Sequence, residues 1–97
     1  MLSSYQCIQK LKEVAPYIQE NFGVRTMRLF GSMARGDNRE DSDADIYVEM
    51  DPVFSKVLGL KSFLQNHLGI IVDLVRKHSR LDSYLLKEIE QDGITIF

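Results

Sequence analysis

Residues 31–48, GSMARGDNREDSDADIYV, determine how the rest of the chain is interpreted. A glycine-serine pair, Gly31 and Ser32, follows one apolar run, and two aspartates, Asp43 and Asp45, open the next. Successive side chains of an extended strand point to opposite faces, so carboxylates two residues apart emerge on the same side. Two neighbouring anions of this kind favour a bound cation.

The composition predicts an ordinary soluble protein. We expect one small domain over residues 1–97, because a chain of this length buries roughly 60 to 70% of its extended surface. The 12 Lys and Arg residues are balanced by 14 Asp and Glu residues. Because the chain has no excess of basic residues, direct nucleic-acid binding is not expected. A single cysteine, Cys7, and the lack of a long apolar run predict a cytoplasmic protein without a membrane segment.

Hydrophobic periodicity predicts strands that alternate with helices. The helical pattern over residues 4–22 is interrupted at Pro16, which predicts either a kink or a second helix. A short helical turn is expected near residues 32–35, followed by a polar surface loop over 36–42. The predicted strands are 24–30, 45–50, 70–75 and 94–97, and the other predicted helices are 53–68 and 80–91. This alternation predicts an α/β or α+β fold with helices packed on a β-sheet.

The pattern also assigns buried faces. In the strand 45–50, Ile46 and Val48 are expected to face away from Asp45. The helix 53–68 is expected to be amphipathic. Its predicted apolar positions are Phe54, Val57, Leu58, Leu64 and Leu68.

One acid, Asp73, lies in the middle of an apolar run of strand length. A buried aspartate is costly unless its charge is paired or it binds a metal. If its strand lies beside the strand of Asp43 and Asp45, three carboxylates meet on one face, and Mg²⁺ or Mn²⁺ would neutralise them. The alternative is a salt bridge from Asp73 to Arg28 or Arg76.

Gly31 and Ser32 supply the second half of a nucleotide site. A glycine lets the backbone approach a phosphate closely, and a serine hydroxyl with the N–H groups of a helix start can hold phosphate oxygens. Arg35 and Arg39 are candidates for neutralising phosphate charge, with solvated surface positions as the alternative. Together these residues predict a bound triphosphate beside metal ions that stabilise the leaving pyrophosphate and activate an attacking hydroxyl.

The stretch 31–48 resembles the GSxARG…SDxD signature of the DNA polymerase beta-like nucleotidyltransferases, and VDLV with Asp73 falls where that superfamily places its third acid. Motif order and spacing are similar to those of the minimal nucleotidyltransferases (MNT) along nearly the whole chain. The resemblance implies a nucleotidyltransferase fold with a small mixed β-sheet. It also implies two Mg²⁺ ions, or Mn²⁺, held by Asp43, Asp45 and Asp73, with Asp73 helping to activate the attacking hydroxyl.

The same resemblance implies a partner. Minimal nucleotidyltransferases commonly pair with a helical HEPN toxin and act as its antitoxin. In some cases they do so by transferring AMP from ATP to a tyrosine of the toxin. We therefore expect a Mg²⁺-dependent enzyme that transfers a nucleoside monophosphate to a hydroxyl of a HEPN-type protein and acts as its antitoxin. An antitoxin that acts by binding alone, and the catalytic subunit of a split small-molecule transferase, are the alternatives. Pairing of the chain with itself also stays open.

Overall fold

The computed structural model describes residues 2–97, which form a four-stranded sheet and five helices. The helices are α1 (Ser4–Glu13), α2 (Ala15–Phe22), α3 (Gly31–Arg35), α4 (Phe54–Leu68) and α5 (Ser83–Asp92). The strands are β1 (Thr26–Phe30), β2 (Ala44–Glu49), β3 (Val72–Arg76) and β4 (Ile94–Thr95). Their order in the sheet is β3-β2-β1-β4. The β2–β3 pair is parallel and β1 is antiparallel to both β2 and β4, which confirms the mixed sheet.

The first helical stretch is two helices, which decides between the two predictions made at Pro16. Ser3 caps α1 with a reciprocal pair of hydrogen bonds, in which its hydroxyl accepts from the Gln6 N–H and its own N–H donates to the Gln6 side chain. Pro16 lies in the first turn of α2. The N–H groups of a first turn have no partner within the helix, so the N–H that proline lacks is not needed there. Local sequence therefore determines both helix starts.

The main core lies between one face of the sheet and helices α1, α2 and α4. Met27 and Leu29 of β1 and Ile46 and Val48 of β2 are fully buried there, as their alternation predicts. Helix α5 packs on the opposite face. The buried side chains of that second cluster are Phe30, Tyr47 and Ile89.

The predicted apolar face of α4 is partly wrong. Leu64 and Leu68 are buried as expected, but Phe54 is 77% exposed and Leu58 is 50% exposed. Leu60, which was not among the predicted positions, is fully buried instead. Apolar residues occupy more than half of this helix's circumference, so periodicity alone does not determine which side faces the sheet.

Strand bounds also shift slightly. Strand β1 begins two residues later than predicted, β3 runs over Val72–Arg76 rather than 70–75, and β4 is limited to Ile94–Thr95. Over residues 2–97, no helix has both the length and the apolar character needed to cross a bilayer.

Candidate active site

The register of the sheet places the predicted acids together. Asp45 and Asp73 are directly paired between the parallel strands β2 and β3. Asp45 also lies opposite Phe30, the last residue of β1 before Gly31. Asp43 precedes β2 by one residue, and the two-residue period of an extended chain directs its side chain to the same face as Asp45.

The apolar residues around Asp73 in the sequence predict a buried carboxylate with a high desolvation cost, but the carboxylate is not buried. Strand β3 is at the edge of the sheet, and Asp73 is exposed. None of the ion pairs among residues 2–97 includes Asp73, so the alternative of a salt bridge to Arg28 or Arg76 is not found. Arg28 donates instead to the Gly93 carbonyl at 3.2 Å, and Arg76 donates to the Met50 carbonyl at 3.5 Å.

Negative charge is concentrated around Asp45. Burial of its carboxylate, followed by the negative charges of Asp73, Glu88 and Asp43, raises the pKa of Asp45 from 3.8 to about 6. The nearby Arg35 guanidinium opposes this shift only in part. A divalent cation beside these carboxylates would relieve their repulsion.

The available donors fit magnesium shared with a substrate. Within the described part of the chain, no three His, Cys, Asp or Glu side chains are close enough to form a preformed metal site. Mg²⁺ is usually held by one or two carboxylates, with substrate phosphates and water completing its octahedral shell. Asp45 and Asp73 suit that arrangement, with Asp43 beside them. The metal-binding role of all three acids stays a prediction.

Gly31 approaches Asp45 so closely that a side chain does not fit. Its φ of 72° lies in the left-handed region, and a Cβ added there would overlap the Asp45 carboxylate. Helix α3 starts at Gly31, one residue earlier than predicted, and places Ser32 in its first turn. The backbone predicted to contact phosphate therefore lies directly against Asp45.

The two predicted phosphate-binding arginines have different surroundings. The Arg35 guanidinium forms ion pairs with Asp92 at 3.1 Å, Asp37 at 3.2 Å and Glu88 at 3.7 Å. Arg39 is exposed in the loop after α3, where its backbone N–H donates to the Ser42 hydroxyl at 2.7 Å. Arg35 thus joins α3 to α5 in this structure, and its role toward phosphate, like that of Arg39, stays a prediction.

A family comparison agrees with this geometry. Residues 12–97 match the family described as “Polymerase beta, Nucleotidyltransferase”. The chain belongs to this nucleotidyltransferase family. It is therefore an enzyme of the nucleotidyltransferase class, and the fold and family predicted from the sequence are confirmed.

Similar proteins cover most of the nucleotidyltransferase chain. “Protein adenylyltransferase MntA” of Thermococcus cleftensis is 40% identical over 81 residues, which are 81% of this chain and 81% of that protein. The solved “Structure of putative minimal nucleotidyltransferase” has a TM-score of 0.78 at 28% identity and covers 97% of this chain and 96% of its own. A structure of tri-AMPylated Shewanella oneidensis HEPN toxin with MNT antitoxin shares the fold, with a TM-score of 0.66, 20% identity and coverage of 93% and 71%.

The sequence pattern of the nucleotidyltransferase did not identify Glu88 or Asp92 as neighbours of the site. Both acids reach Arg35 from α5, and the charge of Glu88 acts on Asp45. The apolar stripe of α5 identifies its buried side and hence its flanks. It does not indicate which flank faces the acids, because that depends on how the helix crosses the sheet.

Proposed function

We propose that this nucleotidyltransferase uses Mg²⁺ to transfer AMP from ATP to a hydroxyl of a HEPN-type partner protein, and thereby acts as its antitoxin. The observation that carries the proposal is the direct pairing of Asp45 with Asp73 beside the closely packed Gly31. The adenylyltransferase name of the Thermococcus cleftensis relative supports AMP as the transferred group. The complex of AMPylated HEPN toxin with an MNT antitoxin supports this class of partner.

Residues on two sides of Asp45 would have different roles in the reaction. On the α3 side, the Gly31–Ser32 backbone would hold the β- and γ-phosphates, because no side chain at Gly31 blocks their approach. On the β3 side, the exposed Asp73 carboxylate would accept the proton of the incoming hydroxyl. Bound divalent ions would supply electrostatic neutralisation of the phosphates.

This division suits an in-line displacement. The attacking oxygen and the leaving pyrophosphate must lie on opposite sides of the α-phosphorus. Since β3 is the edge strand, Asp73 is reachable by a side chain that another protein presents. The acceptor would therefore enter from the β3 side while pyrophosphate leaves near α3.

A labelling experiment tests the proposal directly. Wild-type protein with Mg²⁺, ATP labelled on the α-phosphate and a purified HEPN partner is expected to label the partner. Asp43→Asn should reduce this label to background, while the matched loop variant Asp41→Asn should label like the wild type. The partner staying unlabelled with every nucleoside triphosphate, or Asp43→Asn transferring label at the wild-type rate, would contradict the proposal.

A toxicity experiment separates catalysis from binding. Asp45→Asn is expected to lose the ability to neutralise the partner in cells while still forming the complex, because it keeps the shape of the aspartate side chain. Neutralisation by Asp45→Asn at unchanged affinity would instead support an antitoxin that acts by contact alone.

A further inference from the structure

Helix α5 presents three different sides along its length. Leu81, just before the helix, with Leu85 and Ile89 packs into the cluster on the second face of the sheet. Leu86 and Glu90 line a cavity at the end of the sheet away from the acids. A further stripe, spaced by four residues, is Tyr84, Glu88 and Asp92, which we call the α5 flank.

The α5 flank faces the candidate active site. Arg35 of α3 forms ion pairs with Asp92 at 3.1 Å and with Glu88 at 3.7 Å. Glu88 is also close enough to Asp45 for its charge to contribute to the raised pKa of that carboxyl. Residues spaced by four positions lie on the same side of a helix, so Tyr84 continues this flank by one turn beyond Glu88.

The chain connections place Tyr84 at the β3 end of the flank. Helix α5 follows β3 and ends one residue before β4, and these two strands are the opposite edges of the sheet. Helix α5 therefore crosses the sheet from the β3 side toward β4. Tyr84 is the second residue of α5, so it lies toward the β3 edge of the sheet, and its side chain is 82% exposed.

We propose that Tyr84 is a self-adenylylation site, at which the enzyme attaches AMP to its own phenolic oxygen. The inference rests on the proposed function and goes beyond it, since it names an acceptor within the chain. An acceptor hydroxyl must approach from the β3 side, opposite the pyrophosphate near Gly31, and Tyr84 is an exposed phenol on that side.

The other exposed tyrosines have no comparable position. Tyr5 is 72% exposed on α1, and Tyr17 is 49% exposed on α2. Both helices pack against the sheet face opposite to α5. Tyr5 therefore serves as a matched control for an exposed tyrosine on the face of the sheet opposite to α5.

The proposed step is balanced with ATP as the co-reactant. The Tyr84 phenolic oxygen forms a bond to the α-phosphorus while the bond from that phosphorus to the bridging oxygen of pyrophosphate breaks. Pyrophosphate leaves with the electron pair of the broken bond. The phenolic proton passes to the Asp73 carboxylate and from there to solvent. The products are adenylylated Tyr84 and pyrophosphate.

The test uses the full chain with Mg²⁺ and labelled ATP in the absence of any partner, followed by intact mass measurement and peptide mapping. Wild type and Tyr5→Phe are expected to carry AMP on Tyr84, and Tyr84→Phe and Asp45→Asn are expected to lose the label. Urea unfolding of Tyr84→Phe should confirm that it folds. Wild-type label mapped only to other residues would overturn the inference.

A parallel reaction with a HEPN partner separates this inference from the proposed function. A labelled partner together with an unlabelled isolated chain would overturn the self-adenylylation of Tyr84 alone. A chain that labels neither would overturn both. The rate per chain should stay constant over a dilution series, because the acceptor belongs to the same molecule. A rate that falls in proportion to concentration would overturn the placement of Tyr84 at its own site.

Discussion

Substitution of Asp45 by asparagine is expected to abolish nucleotidyl transfer and yet raise the free energy of unfolding in metal-free buffer. The pKa of Asp45 is raised from 3.8 to about 6, first by burial and then by the charges of Asp73, Glu88 and Asp43. Because one pKa unit corresponds to about 1.4 kcal/mol, this shift sets an upper bound of about 3 kcal/mol. Solvent screening of a partly exposed carboxylate reduces the expected gain to about 1 to 2 kcal/mol.

The pH dependence identifies the cause of that gain. The folded state holds the Asp45 proton up to about pH 6, whereas the unfolded chain releases it near 3.8. The stability that depends on the protonated carboxyl is therefore fully present below about pH 4 and is lost as the pH rises through about 6. The difference between Asp45→Asn and wild type should accordingly be small at about pH 4 and largest above about pH 7.

Urea unfolding and thermal melting with EDTA at several pH values measure this difference. A gain of 1 kcal/mol corresponds to a rise in Tm of roughly 4 to 8 °C for a domain of this size. Asp41→Asn, in the exposed loop, is the matched control and should show no comparable gain. Added Mg²⁺ should stabilise the wild type more than Asp45→Asn. A variant that is less stable than wild type at high pH, or a difference independent of pH, would refute the reasoning.

Three further predictions concern single residues. Gly31→Ala should greatly reduce label transfer, and it should cost about 1 to 2 kcal/mol of stability because the backbone at Gly31 is left-handed. Gly36 also has a positive φ, but no atom lies within 4 Å of a Cβ added there. Gly36→Ala should therefore show only the loss of stability. Equal loss of transfer in both would contradict the proposed collision with Asp45. Ser3→Ala should lower the free energy of unfolding by about 1 kcal/mol by removing the α1 cap, as urea titration can show. Cys7 is buried, and burial raises the pKa of its thiol to about 11. The thiol should therefore react with a thiol reagent only as fast as the chain unfolds. Rapid modification of the native protein would contradict this expectation.

Alternation and spacing in the sequence predict most of what positions the site. Met27 and Leu29 alternate with Thr26, Arg28 and Phe30, so the face of β1 that packs into the main core follows from its pattern. The run around Asp73 has strand length, which predicts β3. The three acids are expected to meet if this strand lies beside the strand of Asp45, and the parallel pairing of β2 with β3 meets that condition. These features depend on local periodicity and on the short menu of strand connections.

Tertiary placement decides the features that the sequence did not predict. The pattern around Asp73 indicates a buried strand, but only the strand order reveals that β3 is at the edge and that Asp73 is exposed. Phe54 is exposed because α4 carries apolar residues on more than one side. Glu88 approaches Asp45 because of the path of α5 across the sheet, which no local pattern specifies.

The parallel pairing of β2 with β3 has a consequence for how the enzyme matures. Parallel strands cannot be joined by a tight turn, and here α4 forms the connection between them. The two central carboxylates are therefore far apart in an unfolded or half-synthesised chain and meet only after the connecting helix has docked. Contacts between distant residues form late because closing a long loop costs entropy. Newly made chains should thus be unable to transfer a nucleotide until β2 and β3 have paired.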